Sequence, residues 1–370
     1  MRIVLIMLFT AIIVSCKQET KPVDTSDSLG QTIDVKYAKG FKIHDFETHI
    51  VITLTQPYPG AKSPLTYRLN RNQINEDGIS IPIDRIVCTS TTHLPALSML
   101  EVAPTLVGFP SIEYISDTTQ WRRAQIGELV ELGTSNQLDV ERLVELEPDA
   151  VMAFSMGGET QQLDKLEELG IKVIYNSDYL EESILGRAEW IKVMGALYDR
   201  LEQADSIFSQ IERQYISLQS RLTDTVDQPT VMSGLMYGDA WYMPGGNNWG
   251  AKVIQDAGGR YLWENDSSSG WIEIGFEGVI ERAQDADLWI GLAHLETLEA
   301  LRQADIRYRQ FAPFASGEVY TYGAKKGPGG GVSYLELGYA RPDLVLADMI
   351  KIIHPEVLPN YDLYFYGQLK

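Results

Sequence analysis

Cysteine is nearly absent from this chain: Cys16 and Cys88 are the only two in 370 residues. No CxxC pair exists, which excludes a ribbon-type zinc site, and two cysteines cannot staple a small disulfide scaffold. Cys88 lies in the apolar run Ile86-Val87-Cys88 and reads as a small buried hydrophobe. Positive charge is scarce as well, with 31 Lys and Arg against 51 Asp and Glu and a net charge of −20. Such a surface repels phosphate backbones and anionic lipid, which argues against nucleic acid as a partner. No apolar run reaches the roughly twenty residues needed to span a bilayer. The GxSxG elbow, HExxH and GK[ST] patterns are missing too, so neither a serine hydrolase, a zinc protease nor a phosphate loop is indicated.

What is present begins at the N-terminus. A single charge at Arg2 is followed by the apolar stretch 3–14, interrupted only by Thr10, and then by Ser15-Cys16. Charge followed by a short apolar core is the order of a secretory signal. The ending Ile13-Val14-Ser15-Cys16 resembles the lipobox of bacterial lipoproteins, in which the cysteine is acylated and becomes the mature N-terminus. That resemblance implies a signal peptide over 1–15, a lipid on Cys16, and a protein held on the membrane in the bacterial cell envelope, on the periplasmic side. Acylation of Cys16 would leave Cys88 without an intramolecular partner. Residues 16–32 are polar, with Pro, Ser and Gly, and read as a flexible tether.

The rest of the chain is long enough for two domains with cores of their own. Residues 33–80 alternate apolar and polar positions (Phe41, Ile43, Phe46, Ile50, Ile52, Leu54), with a turn at Gln56-Pro57-Tyr58-Pro59-Gly60, and predict a β-rich extension. From 81 to 178 short apolar strands alternate with helical stretches. Strands are predicted over 85–89, 105–109, 150–154 and 172–175, and helices over 94–101, 139–146 and 159–169. That is the pattern of a parallel sheet covered on both faces. Residues 179–198 predict a linking helix within a Pro-free helical stretch that runs to 222, with Gly195 and Tyr198-Asp199 as a break. A second α/β lobe follows over 199–370, with strands near 230–236, 288–291 and 318–322. The expected fold class is α/β: two Rossmann-like α/β lobes joined by a long rigid helix, with an added N-terminal β-hairpin region.

Several segments carry a family resemblance over about 84–370. They are Arg85-Ile86-Val87-Cys88-Thr89-Ser90-Thr91-Thr92-His93-Leu94, then Val107-Gly108. Gly133-Thr134 and the run 138–151 with Leu146-Glu147-Pro148-Asp149 follow. Further along come Met243-Pro244-Gly245-Gly246-Asn247-Asn248-Trp249, the stretch 274–287, and Arg341-Pro342-Asp343 with His354-Pro355-Glu356. In this order the segments resemble the class III periplasmic substrate-binding proteins of ABC importers, which handle iron-siderophores, haem and cobalamin. The resemblance implies a lipid-anchored monomer that captures an iron chelate or a related large metal complex and passes it to an ABC permease in the inner membrane. Haem or cobalamin is the alternative cargo. No enzymatic activity and no cofactor are implied. Glu141 and Glu277, each in the first turn of a predicted helix, correspond to the family's permease-docking glutamates, where charge-assisted contacts with arginine are available.

Ligand should bind between the lobes, at the carboxyl ends of the parallel strands. The loops there nominate Thr91, His93, Ser155 and Met156 in the first lobe. In the second lobe they nominate Tyr237, Trp241, Trp263, Trp271, His294, Lys325 and Tyr334. The aromatics suit stacking on a large flat or catecholic ligand. Arg122-Arg123 and Lys325-Lys326 are candidates to face an anionic chelate. The glycine-rich stretch 327–331 reads as a mobile loop over the cleft. A free manganese or zinc receptor is a rival, but it needs about three histidines and a carboxylate in one cleft. Of His44, His49, His93, His294 and His354, at most two are suitably placed. A secreted α/β hydrolase is the second rival and lacks a recognisable nucleophile. A stiff linking helix predicts little lobe motion, so scattering profiles with and without ligand should nearly superimpose; a large closure would contradict it.

Overall fold

A computed structural model describes residues 30–71, 78–134, 137–157, 160–222, 227–292 and 295–370. Its first lobe is built on a five-stranded, wholly parallel sheet. The spatial order is Val173–Tyr175, Ala150–Ala153, Ile86–Cys88, Leu106–Phe109 and Val130–Glu131. The first four of these strands are buried at every position, as expected of strands covered by helices on both faces. The second lobe repeats the plan. Arg260–Tyr261, Thr230–Met232, Leu288–Leu292 and Val319–Thr321 are parallel, and Gly367–Gln368 closes the edge antiparallel. A separate three-stranded antiparallel sheet, Leu235–Tyr237, Ala240–Pro244 and Trp271–Ile274, stands beside it.

One device sets the start of the sheet in both lobes. Asp149 Oδ2 accepts the N–H groups of Asp84 (2.7 Å) and Arg85 (2.8 Å), just before the strand that pairs with its own. Asp287 Oδ2 accepts the N–H of Thr230 (2.7 Å) and its hydroxyl (2.7 Å) in the same relation. This gives the Leu-x-Pro-Asp sequence its physical role: the aspartate fixes the register of two neighbouring strands.

The connection between the lobes differs from a single linking helix over 179–198. Helices Ile184–Glu189 and Ile191–Leu197 run nearly continuously through Trp190, and the long helix is Leu201–Gln219. The chain reverses at Asp199, whose φ of 52° is left-handed. Gly195 then lies so close to Ala204 that a Cβ would sit 2.6 Å from the alanine methyl. The linker is therefore a helical hairpin, and Gly195 permits its close approach.

The N-terminal extension is a five-stranded sheet of its own: Gln31–Thr32, Phe41–Asp45, His49–Leu54, Leu65–Asn70 and Ile79–Ser80, antiparallel except for the last pair. Phe41, Ile43, Ile50, Ile52, Leu54 and Leu69 point inward and join the core of the first lobe. Segment 36–40 crosses the helical hairpin like a strap. Glu189, fully buried, accepts the N–H groups of Lys36 (2.9 Å), Tyr37 (2.8 Å) and Ala38 (3.0 Å). Glu181 accepts those of Lys39 (2.9 Å) and Gly40 (2.8 Å) and the Trp190 indole (2.9 Å). Lys192, also buried, neutralises Glu189 at 3.0 Å and donates to Asp205 (2.9 Å) and to the Asp34 carbonyl (2.7 Å). Tyr37 packs against the apolar cores of both lobes. Removing a partner from a buried, bonded charge cluster costs about 3 to 5 kcal/mol. Glu189→Ala should therefore lower unfolding stability by that amount in urea titrations. A loss below about 1 kcal/mol, the worth of an exposed pair, would show that the strap is not held this way.

Candidate ligand site between the lobes

The two parallel sheets direct their carboxyl ends toward one crevice. On the first lobe, the strand Ile86–Cys88 runs into Thr89, Ser90 and Thr91. Leu106–Phe109 delivers Phe109, Pro110, Ser111 and Tyr114, and Ala150–Ala153 delivers Phe154. The loop geometry is fixed locally. Ser90 caps the Thr91–His93 turn, with its side chain accepting from Thr92 N–H, and Thr89 Oγ1 accepts the Phe154 N–H at 2.9 Å. The opposite wall comes from Gly330, Gly331, Val332 and Leu335 of the second lobe. They enclose a cleft of about 400 Å³. Leu335 also borders a smaller cavity of about 70 Å³ inside the second lobe, lined by Ser233, Gly291, Trp271, Tyr322 and Tyr334 among others.

The glycine-rich stretch is not free over the cleft. A Cβ on Gly331 would overlap the Tyr114 carbonyl, one on Gly327 would overlap Ser116, and one on Gly329 would overlap the Trp121 ring. Loop 327–331 of the second lobe is thus docked on the 113–116 turn of the first, and the absent side chains are what allow it. It closes one end of the crevice.

The nominated residues divide sharply. Thr91 lines the cleft, and Trp271 and Tyr334 line the adjoining cavity, Tyr334 stacked on Tyr322 at 4.8 Å. Trp241 does not face ligand. It is fully buried between Trp289, Tyr308 and Phe311 and donates its indole N–H to the Ser233 carbonyl, because inward positions of the three-stranded sheet form the second lobe's core. Trp263 is likewise buried, against Tyr261 and under Arg282. Ser155 is buried in a turn, accepting the Gly157 N–H at 3.1 Å, while Met156 beside it is exposed; neither lines the cleft. Tyr237 is 82 % exposed on the outer face of the three-stranded sheet. Cys16 and His294 lie outside the described residues.

His93 sits behind Thr91, not in the cleft. It faces a small internal space of about 30 Å³ shared with Asn176, Asp178, Arg187 and Tyr339. Burial pushes its ring down to about 3, so it is neutral. Arg187 beside it stacks on Tyr339 at 3.6 Å and pairs with Asp178 at 3.6 Å, joining the hairpin to both lobes.

The basic candidates are occupied elsewhere. Lys325 lies over the Tyr364 ring at 3.3 Å, and Lys326 pairs with Glu296. Arg123 donates to the Ala103 and Pro104 carbonyls, both at 2.9 Å, and Arg122 is exposed away from the cleft lining. Among the described residues no Arg, Lys or His lines the cleft. The internal residues outside that set contain no Arg or Lys. Phe109, Phe154 and Leu335 are cleft walls that the sequence reading passed over, the first two as strand residues, and nothing in their apolar runs separates a wall from a core.

Glu141 and Glu277 are exposed, each the second residue of its helix, Val140–Glu145 and Phe276–Ala283. Each helix leads to the aspartate that registers its lobe's sheet, so the two glutamates hold equivalent places in the two lobes.

Comparison with known proteins agrees with this architecture. An uncharacterized lipoprotein of Methanocaldococcus jannaschii is 24 % identical over 297 residues, 78 % of this chain and 69 % of its own. The vitamin B12-binding protein of Photorhabdus laumondii is 23 % identical over 158 residues, covering 43 % of this chain and 55 % of that protein. A periplasmic solute-binding protein of Staphylococcus epidermidis, 17 % identical, shares the fold with a TM-score of 0.57 over 74 % of this chain and 99 % of its own. No helix among the described residues is long and apolar enough to cross a membrane. Residues 86–325 match the periplasmic binding protein family, and with both lobes and the crevice between them in place, this chain is a member of that solute-binding family.

Proposed function

We propose that the protein captures a bulky metal chelate of low net charge, with a corrinoid as the favoured class, and delivers it to an ABC permease. The observation that carries this reading is the chemistry of the cleft. Its walls are hydroxyls (Thr89, Ser90, Thr91, Ser111) and aromatic or aliphatic faces (Phe109, Tyr114, Phe154, Val332, Leu335), with no arginine or lysine among them. An anion transferred into such a site would lose its hydration without a counter-charge, which is costly. An amide-rich, nearly neutral complex loses less and gains hydrogen bonds and stacking. The expectation that Arg or Lys lines the site for an anionic siderophore therefore gives way to its cobalamin alternative. A ferric hydroxamate without net charge fits the same chemistry. Family members that bind vitamin B12 support this direction.

In this reading Cys16 carries the lipid, the tether keeps the receptor near its permease, and Glu141 and Glu277 dock it. A tether raises effective concentration, so the docking contact itself can be weak.

Three measurements bear on the proposal. Native mass spectrometry and fluorescence titration against cyanocobalamin, a neutral ferric hydroxamate, a trianionic ferric catecholate and haemin should rank the first two at least about tenfold tighter than the last two, a difference of about 1.4 kcal/mol. Tightest binding of the trianionic catecholate would overturn the charge argument. Gly331→Ala, which forces the loop off the Tyr114 carbonyl, should weaken the best of these ligands by about tenfold or more, whereas unchanged affinity would mean the loop is not a cleft wall. Charge reversal at Glu141 and Glu277 together should abolish uptake through the permease and leave ligand affinity intact; retained uptake would remove the docking role.

A further inference from the structure

Glu336 lies on the short π-helical turn Tyr334–Gly338 of the second lobe and is 4 % exposed. Its carboxylate reaches across the boundary between the lobes. Oε2 accepts the Ser116 N–H at 2.5 Å and Oε1 accepts the Asp117 N–H at 3.1 Å. Asp117 is itself the N-cap of helix Thr118–Gln125, with Oδ1 taking the N–H groups of Thr119 and Gln120. Beside this bond, loop 327–331 packs on the 113–116 turn. Leu335, the preceding residue, forms part of the cleft wall. Two hydrogen bonds and a glycine contact thus hold the wall of one lobe against the other.

We propose that Glu336 is a positioning residue for ligand capture: its bonds to Ser116 and Asp117 dock the glycine loop, set the width of the cleft, and do so with a strength that depends on the carboxyl group's charge. The proposal rests on the solute-binding reading for its purpose, though not for its geometry.

The surroundings favour a titrating group. The elements packed against the turn carry few charges. His93 on the Thr91–His93 turn is neutral, and helix Leu94–Met99 has no ionisable residue. On helix Pro342–Ile353, Asp343 is paired with Arg341 at 2.7 Å. Asp348 on that helix is bonded to main-chain N–H groups of 364–366, and Lys351 donates to the Leu358 and Pro359 carbonyls. Among the described residues no cation pairs with Glu336, and Asp117 adds repulsion. Burial, partly offset by the Ser116 hydrogen bonds, pushes its carboxyl up to about 7.

The sign follows from linkage. With the lobes undocked, Glu336 meets water and returns to the ordinary carboxylate value of 4.5. The docked form therefore binds the proton more tightly, so docking is favoured below pH 7 and weakens as pH rises through it. A shift between these two values changes the docking equilibrium about tenfold between pH 6 and pH 8.

Hydrogen exchange tests this without a ligand. In the wild-type protein, protection of the Ser116 and Asp117 amides and of segment 327–331, corrected for intrinsic exchange, should fall about tenfold from pH 6 to pH 8. Glu336→Gln should flatten that profile, and Glu336→Ala should give low protection at both values. A flat wild-type profile, or an unchanged one in Glu336→Gln, would overturn the proposal, and the wild-type profile needs no variant to fold. The cyanocobalamin off-rate should rise in parallel from pH 6 to pH 8. An off-rate that ignores a confirmed loosening would refute the positioning role. If no chelate in the panel binds, the solute-binding proposal fails, while the exchange profile still decides whether Glu336 docks the lobes.

Discussion

Glu189 accepts three successive main-chain N–H groups from residues 36–38 while Lys192 neutralises it, and Glu181 does the same for residues 39 and 40. Without these acceptors the strap would cross a buried helical surface with its donors unpaired, at a cost of about 1–3 kcal/mol each. The strap matters because Tyr37 within it touches both cores, and because the hairpin it crosses lies in sequence between the two lobes. The same interaction recurs at larger scale. Asp149 and Asp287 register the two sheets, Asp348 gathers the N–H groups of 364–366, and Glu336 joins the lobes. Part of the acid excess in the composition is thus internal architecture: carboxylates that collect backbone donors where no helix or sheet supplies a partner.

With the lobes held in this way, the cleft follows from topology. Parallel strands end together, so their following loops converge, and two such lobes facing each other leave a crevice between them. Behind the cleft, Arg187 stacks on Tyr339 of one lobe and pairs with Asp178 of the other, and the glycine loop closes one end of the crevice. What remains open is lined by hydroxyls and apolar faces. That lining, more than its size, points to a ligand that does not demand a buried counter-charge.

The strands and helices of the lobes were legible because period and composition act locally. Ile86-Val87-Cys88 and Ala150-Val151-Met152-Ala153 read as buried parallel strands and are such. The lobe connection was harder: Gly195 and Asp199 marked a break, but that the halves fold back as a hairpin depends on the contact with Ala204. The site was legible as loops and poorly as residues. Trp241, Trp263 and Tyr237 belong to one aromatic-rich stretch, yet one lies in a core, one beneath an arginine and one in solvent: strand pairing sets the faces of Trp241 and Tyr237, and Trp263 sits in the turn after Tyr261. Lys325 and Arg123 are cationic in any reading, but their partners, Tyr364 and the Ala103 carbonyl, are known only from the fold. Glu336 carries no local signal because its partners are 220 and 219 residues away.

The central claim is that ligand sits between the lobes on an uncharged surface. A crystal structure with the tightest-binding chelate tests it most directly. Ligand should contact residues 89–91 and Tyr114 of one lobe and 330–335 of the other, with no Arg or Lys side chain within ion-pair distance. Ligand seated instead on the outer sheet around Tyr237 and Tyr242, or gripped by a basic side chain drawn into the cleft, would contradict the account.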